Sequence, residues 1–263
     1  MCEVGSGSYG RIMDLARARS FGAAAAAYAR HRPGYPVAAV DWALAPLAGR
    51  ERVHLLDLAA GTGKLTEGLV GRGRVTAVEP DPAMRAELQA RFPEVPAHEG
   101  AAERIPLPDA CVDAVLVGQA WHWFDPDRAY PEIARVLRPG GVLAALWNGD
   151  DAHVEWVRGF HVAGAWEPTV VRAPDDEPRL PEHPAFVQDG HAQFAHLVPT
   201  TVDGLVASLR THSWALTADA GEREASLDRV RAYLATRPET ASEEFELPLV
   251  TDVVRMLPRG TRA

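Results

Sequence analysis

From residue 53 onward the chain alternates short apolar runs with helical patterns, and this alternation limits the fold more than any other feature. Strands separated by helices form βαβ units, which require a parallel sheet with helices on both faces. The sequence therefore predicts an α/β protein with a Rossmann-like, mostly parallel sheet. The expected strands are 53–58, 74–78, 95–98, 112–117 and 142–147, and the helices between them are 64–70, 82–92 and 127–137.

The segments that flank this region predict a small helical cap and two more strands, which makes seven in all. An Ala-rich helix is expected at 21–30, before a Pro- and Gly-containing break and a second helix at 37–47. We therefore expect 1–48 to be an N-terminal helical lid. The remainder, 49–263, is expected to be one domain with cap insertions at about 150–190 and 200–240. Its later elements are predicted as helices at 152–166, 205–209 and 220–234, a surface excursion at 167–190, and strands at 191–198 and 245–256.

Size and charge narrow the partners of the chain. Its 263 residues and 28.4 kDa suit one large α/β domain with a modest cap. The formal net charge of −9 disfavours long nucleic-acid or anionic-membrane surfaces, because these need basic stripes. The sequence has two cysteines, no signal-peptide pattern and no apolar stretch of membrane-spanning length. We therefore expect a cytoplasmic protein with reduced thiols, and the oligomeric state stays open.

The basic residues show an unusual bias, since Lys64 is the only lysine among 27 basic residues. Such an Arg-for-Lys bias is typical of a GC-rich coding genome, and a role in natural-product biosynthesis is suggested by this bias alone. Lys64 follows Gly63 as the lysine of a phosphate-binding loop would. The Gly-x4-Gly-Lys-[Ser/Thr] spacing is absent, however, so we assign it no phosphate role.

The most informative segment is 55–66, Leu-Leu-Asp-Leu-Ala-Ala-Gly-Thr-Gly-Lys-Leu-Thr, in which a strand enters a turn of small residues and then a helix. Gly61 and Gly63 allow positive φ and close approach of a ligand, and the helix directs its N–H groups at that ligand. A dinucleotide fingerprint would need glycine where Thr66 stands. Asp57 would repel a pyrophosphate but attract an ammonium group. The pattern therefore favours S-adenosylmethionine, which carries an ammonium and a sulfonium and no phosphate.

A second acidic residue follows the next strand. Glu79, at the end of strand 74–78, lies 22 residues after Asp57, the separation expected for turn, helix and strand. A carboxylate at this point can accept hydrogen bonds from both ribose hydroxyls. Met84, in the following helix, is placed to pack on an adenine ring.

At this point the sequence resembles the class I S-adenosylmethionine-dependent methyltransferases, specifically their type 11 small-molecule group. The resemblance covers 21–148 well and 150–256 more loosely. Segment 57–63 resembles the family's first motif, with Ala59 where many members have glycine. Segment 100–106 is similar to the loop at the adenine edge, with Ala101 where members often have Asp. Segments 118–125 and 135–141 resemble the motifs after strand four and before strand five, and Tyr28 with 32–36 resembles the N-terminal lid.

The resemblance implies SN2 transfer of the sulfonium methyl group to an oxygen, nitrogen or carbon of a small molecule, with neither nucleic acid nor membrane as partner. His122 is the candidate catalytic residue, either as a general base or as a residue that orders the cofactor loop. Of Trp121 and Trp123, one is expected to be core. The expected cofactor-binding residues are Tyr28, Arg32, Asp57, Ala59, Gly61, Thr62, Gly63, Glu79, Pro80, Met84, Ala102, Glu103, Gln119 and Ala120.

Two alternatives remain at this point. A nicotinamide-dependent oxidoreductase would share the fold, and Asp57 with Thr66 argues against it. A non-catalytic protein that binds S-adenosylmethionine would have the same cofactor site, so only turnover separates it from an enzyme. No metal site is expected, because Asp150, Asp151 and His153 are the only tight acid and histidine cluster and fit a solvated loop better.

Overall fold

The computed structural model describes residues 25–165, 180–212, 214–215 and 218–259. Seven strands form one sheet in the order β3-β2-β1-β4-β5-β7-β6, in which β1 to β5 pair in parallel and β7 pairs antiparallel with both of its neighbours. The strands are β1 His54–Leu58, β2 Arg74–Val78, β3 Ala97–His98, β4 Val112–Gly118, β5 Leu137–Asp150, β6 Phe186–Thr200 and β7 Phe245–Pro258. The predicted α/β fold with seven mostly parallel strands is therefore confirmed.

Eight α-helices are described around this sheet. They are α1 Ala25–His31, α2 Val37–Leu44, α3 Lys64–Leu69, α4 Pro82–Arg91, α5 Pro126–Val136, α6 Glu155–Gly164, α7 Val202–Leu209 and α8 Ala220–Leu234. Short 3-10 turns add Ala45–Leu47, Trp121–Trp123 and Pro238–Thr240. The predicted helix at 21–30 is seen from Ala25 onward, and 21–24 lie outside the described residues.

One prediction about the later part of the chain was wrong. The surface excursion expected at 167–190 ends earlier than predicted, because β6 already begins at Phe186. Phe186 is buried against the core, and Val187 pairs with Leu257 of β7, so this end of the segment is sheet. Residues 166–179 of the same prediction lie outside the described part of the chain.

Apolar side chains cover both faces of the sheet, as the βαβ pattern requires. On one face, α2, α3 and α4 pack on Leu55, Leu116 and Leu146. On the other face, α5 packs through Tyr130 and Ile133. A third cluster joins α6, α7 and α8, which we call the cap; its core includes Trp156, Phe160, Leu209 and Leu227. No helix in the described ranges is long and apolar enough to cross a membrane.

The register of the sheet determines where side chains can meet. Asp57 of β1 is level with Leu116 of β4, and Leu116 is level with Ala144 of β5. Because β1, β2, β4 and β5 are parallel, their carboxyl ends lie at one edge of the sheet. Ligands of open α/β sheets bind at this edge, and β4 next to β1 marks the point where the strand order reverses.

Candidate functional site

The loop after β1 has a backbone that few residue types tolerate. Gly61 and Gly63 have φ of +56° and +83°, and a Cβ atom on Gly63 would lie 3.0 Å from the Phe92 ring. Ala59 also has a positive φ, +56°, which is unfavourable for an L-residue with a side chain. The loop therefore presents backbone at the carboxyl end of β1, where a ligand can approach it closely.

Asp57 is fully buried just before this loop. Its Oδ2 atom accepts a 2.6 Å hydrogen bond from the Thr66 hydroxyl on α3. Its Oδ1 atom is buried and has no hydrogen-bond partner among the described residues, and neither has the nearby Thr62 hydroxyl. Burial raises the pKa of Asp57 from 3.8 to about 7, the Thr66 bond opposing that shift. A buried carboxylate oxygen without a donor is a position for a cationic donor from a ligand.

Glu79 connects the ends of β1 and β2. Its two carboxylate oxygens accept 2.8 Å bonds from the backbone N–H groups of Gly61 and Asp81. Burial raises its pKa from 4.5 to about 7, and these two bonds oppose the shift. Each carboxylate oxygen has two lone pairs, so the side chain can still accept bonds from two hydroxyl groups. Asp81 caps α4 through the N–H groups of Ala83 and Met84.

The side-chain amide of Gln119 joins the ends of β4 and β5, and that of Asn148 joins the end of β5 to the N-terminal segment. Gln119 has φ of +58°; its N–H bonds Leu146 O, and its Nε2 donates a 2.7 Å bond to Asn148 O. Asn148 donates a 2.8 Å bond from Nδ2 to Gly34 O. These bonds hold Gln119 in a conformation that costs free energy, and such strain is common at functional sites.

Tyr35 closes over β4 from the N-terminal side. A Cβ atom on Gly118 would lie 2.6 Å from the Tyr35 hydroxyl oxygen, so only glycine allows this approach. Burial raises the pKa of Tyr35 well above its usual range, and Asp57 is near enough to contribute to the increase. The hydroxyl therefore stays protonated at neutral pH and can donate a hydrogen bond at the sheet edge.

The turn after β4 separates its aromatic residues. Trp121 is buried and packs on Phe124 and Tyr130, with ring centroids 5.4 Å and 5.0 Å away, so it is the core residue of the pair Trp121 and Trp123. The His122 side chain is exposed, and its ring centroid lies 4.6 Å from that of Trp123. Nearby protein atoms still remove enough water to lower the pKa of His122, which keeps the imidazole neutral at pH 7.

The N-terminal lid contributes a partly buried cation. Arg32 donates from Nε to Thr211 Oγ1 over 2.8 Å and from Nη2 to Thr211 O over 3.2 Å. Its Cζ atom lies 5.2 Å from the centre of the Tyr28 ring. Burial lowers the pKa of Arg32, and Tyr28, Asp150 and Tyr35 oppose the decrease. Arg32 forms no salt bridge with a carboxylate of the described residues, whereas Asp150 pairs with His161 at 3.0 Å.

Comparison with known proteins identifies the family of the chain. A family model described as a methyltransferase domain matches residues 56–145. The Mycobacterium tuberculosis (strain H37Rv) protein named Uncharacterized methyltransferase Rv3342 is 48% identical over 239 residues, which cover 90% of this chain and 94% of the relative. The chain belongs to the class I S-adenosylmethionine-dependent methyltransferases.

Solved structures match the methyltransferase fold over most of the chain. A structure described as a type II methyltransferase from Anaeromyxobacter dehalogenans is 26% identical with a TM-score of 0.61, covering 86% of this chain and 97% of that one. A structure described as a methyltransferase from an antibiotic biosynthesis pathway of Anabaena variabilis is 20% identical with a TM-score of 0.56, covering 86% and 98%. The second likeness concerns the fold alone.

The methyltransferase sheet brings most of the predicted site residues to one edge. Pro80 joins Glu79 to the capping Asp81, Met84 is buried on α4, and Ala120 is buried beside Gln119. Ala102 and Glu103 lie in the turn between Ala101 and Arg104, and Glu103 accepts a 2.9 Å bond from the N–H of Asp125. Tyr28 and Arg32 lie at the lid, and His122 is exposed at the turn after β4. No group of three or more metal-ligating side chains occurs in the described parts of this methyltransferase.

Sequence reasoning missed Asn148, His161 and Thr211, which reach the lid or the end of β5 only through the folded chain. It interpreted Asp150 as part of a solvated loop, and this was wrong: Asp150 is the last residue of β5, its side chain is 14% exposed, and it pairs with His161 at 3.0 Å. Asn148 and Asp150 could have been found, because they follow the apolar part of a parallel strand, where ligands bind. Thr211 carries no such signal, because it lies 179 residues from Arg32.

Proposed function

We propose that this enzyme binds S-adenosylmethionine at the carboxyl edge of β1, β2 and β4 and transfers its methyl group to a small molecule. The carrying observation is the pair of buried carboxylates, Asp57 and Glu79, neither of which forms a salt bridge with a basic side chain of the described residues. Their raised pKa values, both about 7, are those of carboxylates that lack a cation or enough donors.

The hydrogen-bonding groups that remain available at this edge fit S-adenosylmethionine. The free Oδ1 of Asp57 suits an ammonium group, and Glu79 retains lone pairs for two ribose hydroxyls. The positive-φ backbone of Ala59, Gly61 and Gly63, with the Thr62 hydroxyl beside it, allows the methionyl part to approach. Met84 and the turn with Ala102 and Glu103 would contact the adenine. A pyrophosphate would be repelled by the Asp57 carboxylate, which disfavours a nicotinamide cofactor.

The lid supplies the remaining charge. We assign Arg32 and Tyr28 to the methionyl carboxylate, because Arg32 keeps Nη1 without a hydrogen bond to any described residue and has no carboxylate ion pair. Tyr35, close enough to Arg32 and Asp57 for both to act on its pKa, would help to exclude water from this part of the site. A partly buried cation without an anion costs free energy, so a bound carboxylate would stabilise the lid.

The chemical role of the protein is to align the methyl acceptor with the cofactor and to exclude water from the reacting groups. When bound, S-adenosylmethionine supplies an already activated sulfonium methyl group. Gln119 and Ala120 would hold the reacting end beside β4, and the strained Gln119 backbone is fixed there by Leu146 and Asn148. His122, neutral at pH 7, would accept a proton from an acceptor hydroxyl or amine. Oxygen, nitrogen and carbon acceptors all remain compatible with these residues.

Ligand-induced stabilisation tests this function. S-adenosylhomocysteine at 100 times its Kd should stabilise the protein by about 2.7 kcal/mol, which raises the Tm by several degrees. A Tm increase with NAD and none with S-adenosylhomocysteine would overturn the proposal in favour of an oxidoreductase. Transfer of a radiolabelled methyl group to an acceptor separates an enzyme from a protein that only binds the cofactor. A small-molecule acceptor, a cytoplasmic location and a natural-product role stay predictions.

A further inference from the structure

The lid and the cap meet at one polar contact, between Arg32 and Thr211. Arg32 follows α1, Thr211 follows α7, and these two helices pack against each other. The guanidinium uses two of its nitrogens on Thr211, Nε on the hydroxyl at 2.8 Å and Nη2 on the carbonyl at 3.2 Å. Two parallel bonds of this kind fix the plane of a guanidinium as well as its position.

Thr211 is itself fixed in orientation. Its side chain is 2% exposed, and its hydroxyl donates a 2.6 Å bond to Ser208 O in the last turn of α7. Because the hydroxyl proton is used there, a lone pair of Oγ1 faces the Arg32 Nε. A side chain held on one side by α7 and on the other by Arg32 transmits the position of the cap to the lid.

The remaining surroundings of Arg32 leave its charge for a ligand. The Tyr28 ring lies at 5.2 Å from Cζ, and Asp150, the acidic neighbour that acts on Arg32, is paired with His161 at 3.0 Å. Thr211 contributes oxygen atoms but no negative charge. It therefore orients the guanidinium without neutralising it, so the cation remains available to an incoming carboxylate.

We propose that Thr211 is a positioning residue for the cofactor: it orients Arg32 towards the methionyl carboxylate and so couples cofactor binding to closure of the cap on the lid. The proposal rests on the function proposed above. It assigns to the cap, which contacts the lid through Thr211, a direct share in cofactor affinity. Cofactor binding would then order the cap before the acceptor enters.

Calorimetric titration with S-adenosylhomocysteine tests this coupling. Thr211→Val removes the hydroxyl at nearly constant volume, and the loss of a charged hydrogen bond should raise Kd about tenfold. Thr211→Ser keeps the hydroxyl and should bind within about twofold of wild type. Thr236→Val is the matched control, because the exposed Thr236 hydroxyl also bonds a helix carbonyl, Tyr233 O, but lies away from Arg32. Its Kd should not change.

A double-mutant cycle distinguishes positioning from direct contact. If Thr211 acts through Arg32, Thr211→Val should have no further effect on Kd in an Arg32→Ala background. Amide hydrogen exchange should also show that S-adenosylhomocysteine protects 202–212 in wild type but not in Thr211→Val. Any one of three results would overturn the coupling. They are additive effects in the cycle, an unchanged Kd for Thr211→Val, and equal protection of 202–212 in both proteins. Absence of S-adenosylhomocysteine binding by wild type would instead overturn the proposed function.

Discussion

The Thr66 hydroxyl donates a 2.6 Å hydrogen bond to Asp57 Oδ2, so the first turn of α3 holds the carboxylate at the end of β1. Both side chains are fully buried. A dinucleotide-binding fold would need glycine at the position of Thr66, and here a threonine uses the same space to orient an acid. Thr66 thus argues against a pyrophosphate-binding site and also holds the Asp57 carboxylate, which suits an ammonium group.

Replacing Thr66 by valine should weaken the cofactor site. The change removes the hydroxyl donor to Asp57 at nearly constant volume, which raises the carboxyl pKa further, and only the backbone N–H of Thr66 remains to oppose the effect of burial. We expect a loss of about 1–3 kcal/mol in the free energy of unfolding and a roughly tenfold higher Kd for S-adenosylhomocysteine at pH 7.5. Urea unfolding and calorimetry measure both quantities. Thr66→Ser should restore them, and equal behaviour of the valine and serine variants would contradict this role.

The buried Asp57 should make the ligand-free protein less stable as pH rises. Its pKa is raised from 3.8 to about 7, so between these values the native state holds a proton that the unfolded state has lost. The stability contributed by the protonated form is therefore complete below about pH 4 and is lost as pH rises through 7. Asp57→Asn should remove the part of this loss that Asp57 causes and gain about 1–3 kcal/mol relative to wild type between pH 4.5 and 8. Glu79, whose pKa is also raised to about 7, keeps its own share of the pH dependence in both proteins.

Urea unfolding of both proteins without ligand at pH 4.5 and 8 checks this expectation. Asp228→Asn offers the control, since it makes the same chemical change at an exposed position on α8 and leaves the buried site intact. Asp57→Asn should at the same time weaken S-adenosylhomocysteine binding, because the charge that attracts the ammonium is gone. A variant with the pH dependence of wild type would mean that Asp57 is not the group that titrates.

Ala59 offers a test of the loop geometry. Because its φ is +56°, Ala59→Gly should relieve strain and stabilise the protein by roughly 0.5–1 kcal/mol, with cofactor affinity kept. Ala60→Gly, one residue later and without a positive φ, should destabilise by about 1 kcal/mol. Thermal or urea unfolding of the two variants decides the matter. A destabilised Ala59→Gly variant would show that the loop does not adopt this conformation in solution.

His122 should affect turnover and not binding. Its ring is exposed and contacts Trp123, so His122→Gln should leave the Kd for S-adenosylhomocysteine within about twofold of wild type. A general base with a lowered pKa places the acidic limb of the turnover profile below pH 6.5, and the variant should lose that limb together with about 10²–10⁴ of the rate. Radiolabelled methyl transfer at several pH values measures this. A weakened Kd would instead assign His122 to the cofactor loop.

The sheet and its ligand-binding edge could be predicted because they depend on local pattern. Apolar runs at 53–58, 74–78 and 112–117 and the glycines after the first of them are readable in the chain. The 22-residue separation of Asp57 and Glu79 follows from turn, helix and strand lengths.

The remaining parts depend on contacts between distant segments. The Arg32–Thr211 pair joins residues 179 apart, and the start of β6 at Phe186 follows from pairing with β7, whose partner residues lie some 70 positions later. The sequence shows alanine at position 59, where many family members have glycine. The conformational strain that this alanine causes is evident only from its positive φ angle in the structure. No periodicity encodes such features.

In the function proposed above, Asp57 binds the ammonium group of S-adenosylmethionine and Glu79 binds its ribose. A crystal structure with S-adenosylhomocysteine tests it most directly. We expect the ammonium nitrogen within about 3.2 Å of Asp57 Oδ1 and both ribose hydroxyls within hydrogen-bonding distance of the Glu79 carboxylate. A ligand seated elsewhere, or a complex in which both carboxylates lack these partners, would contradict the account.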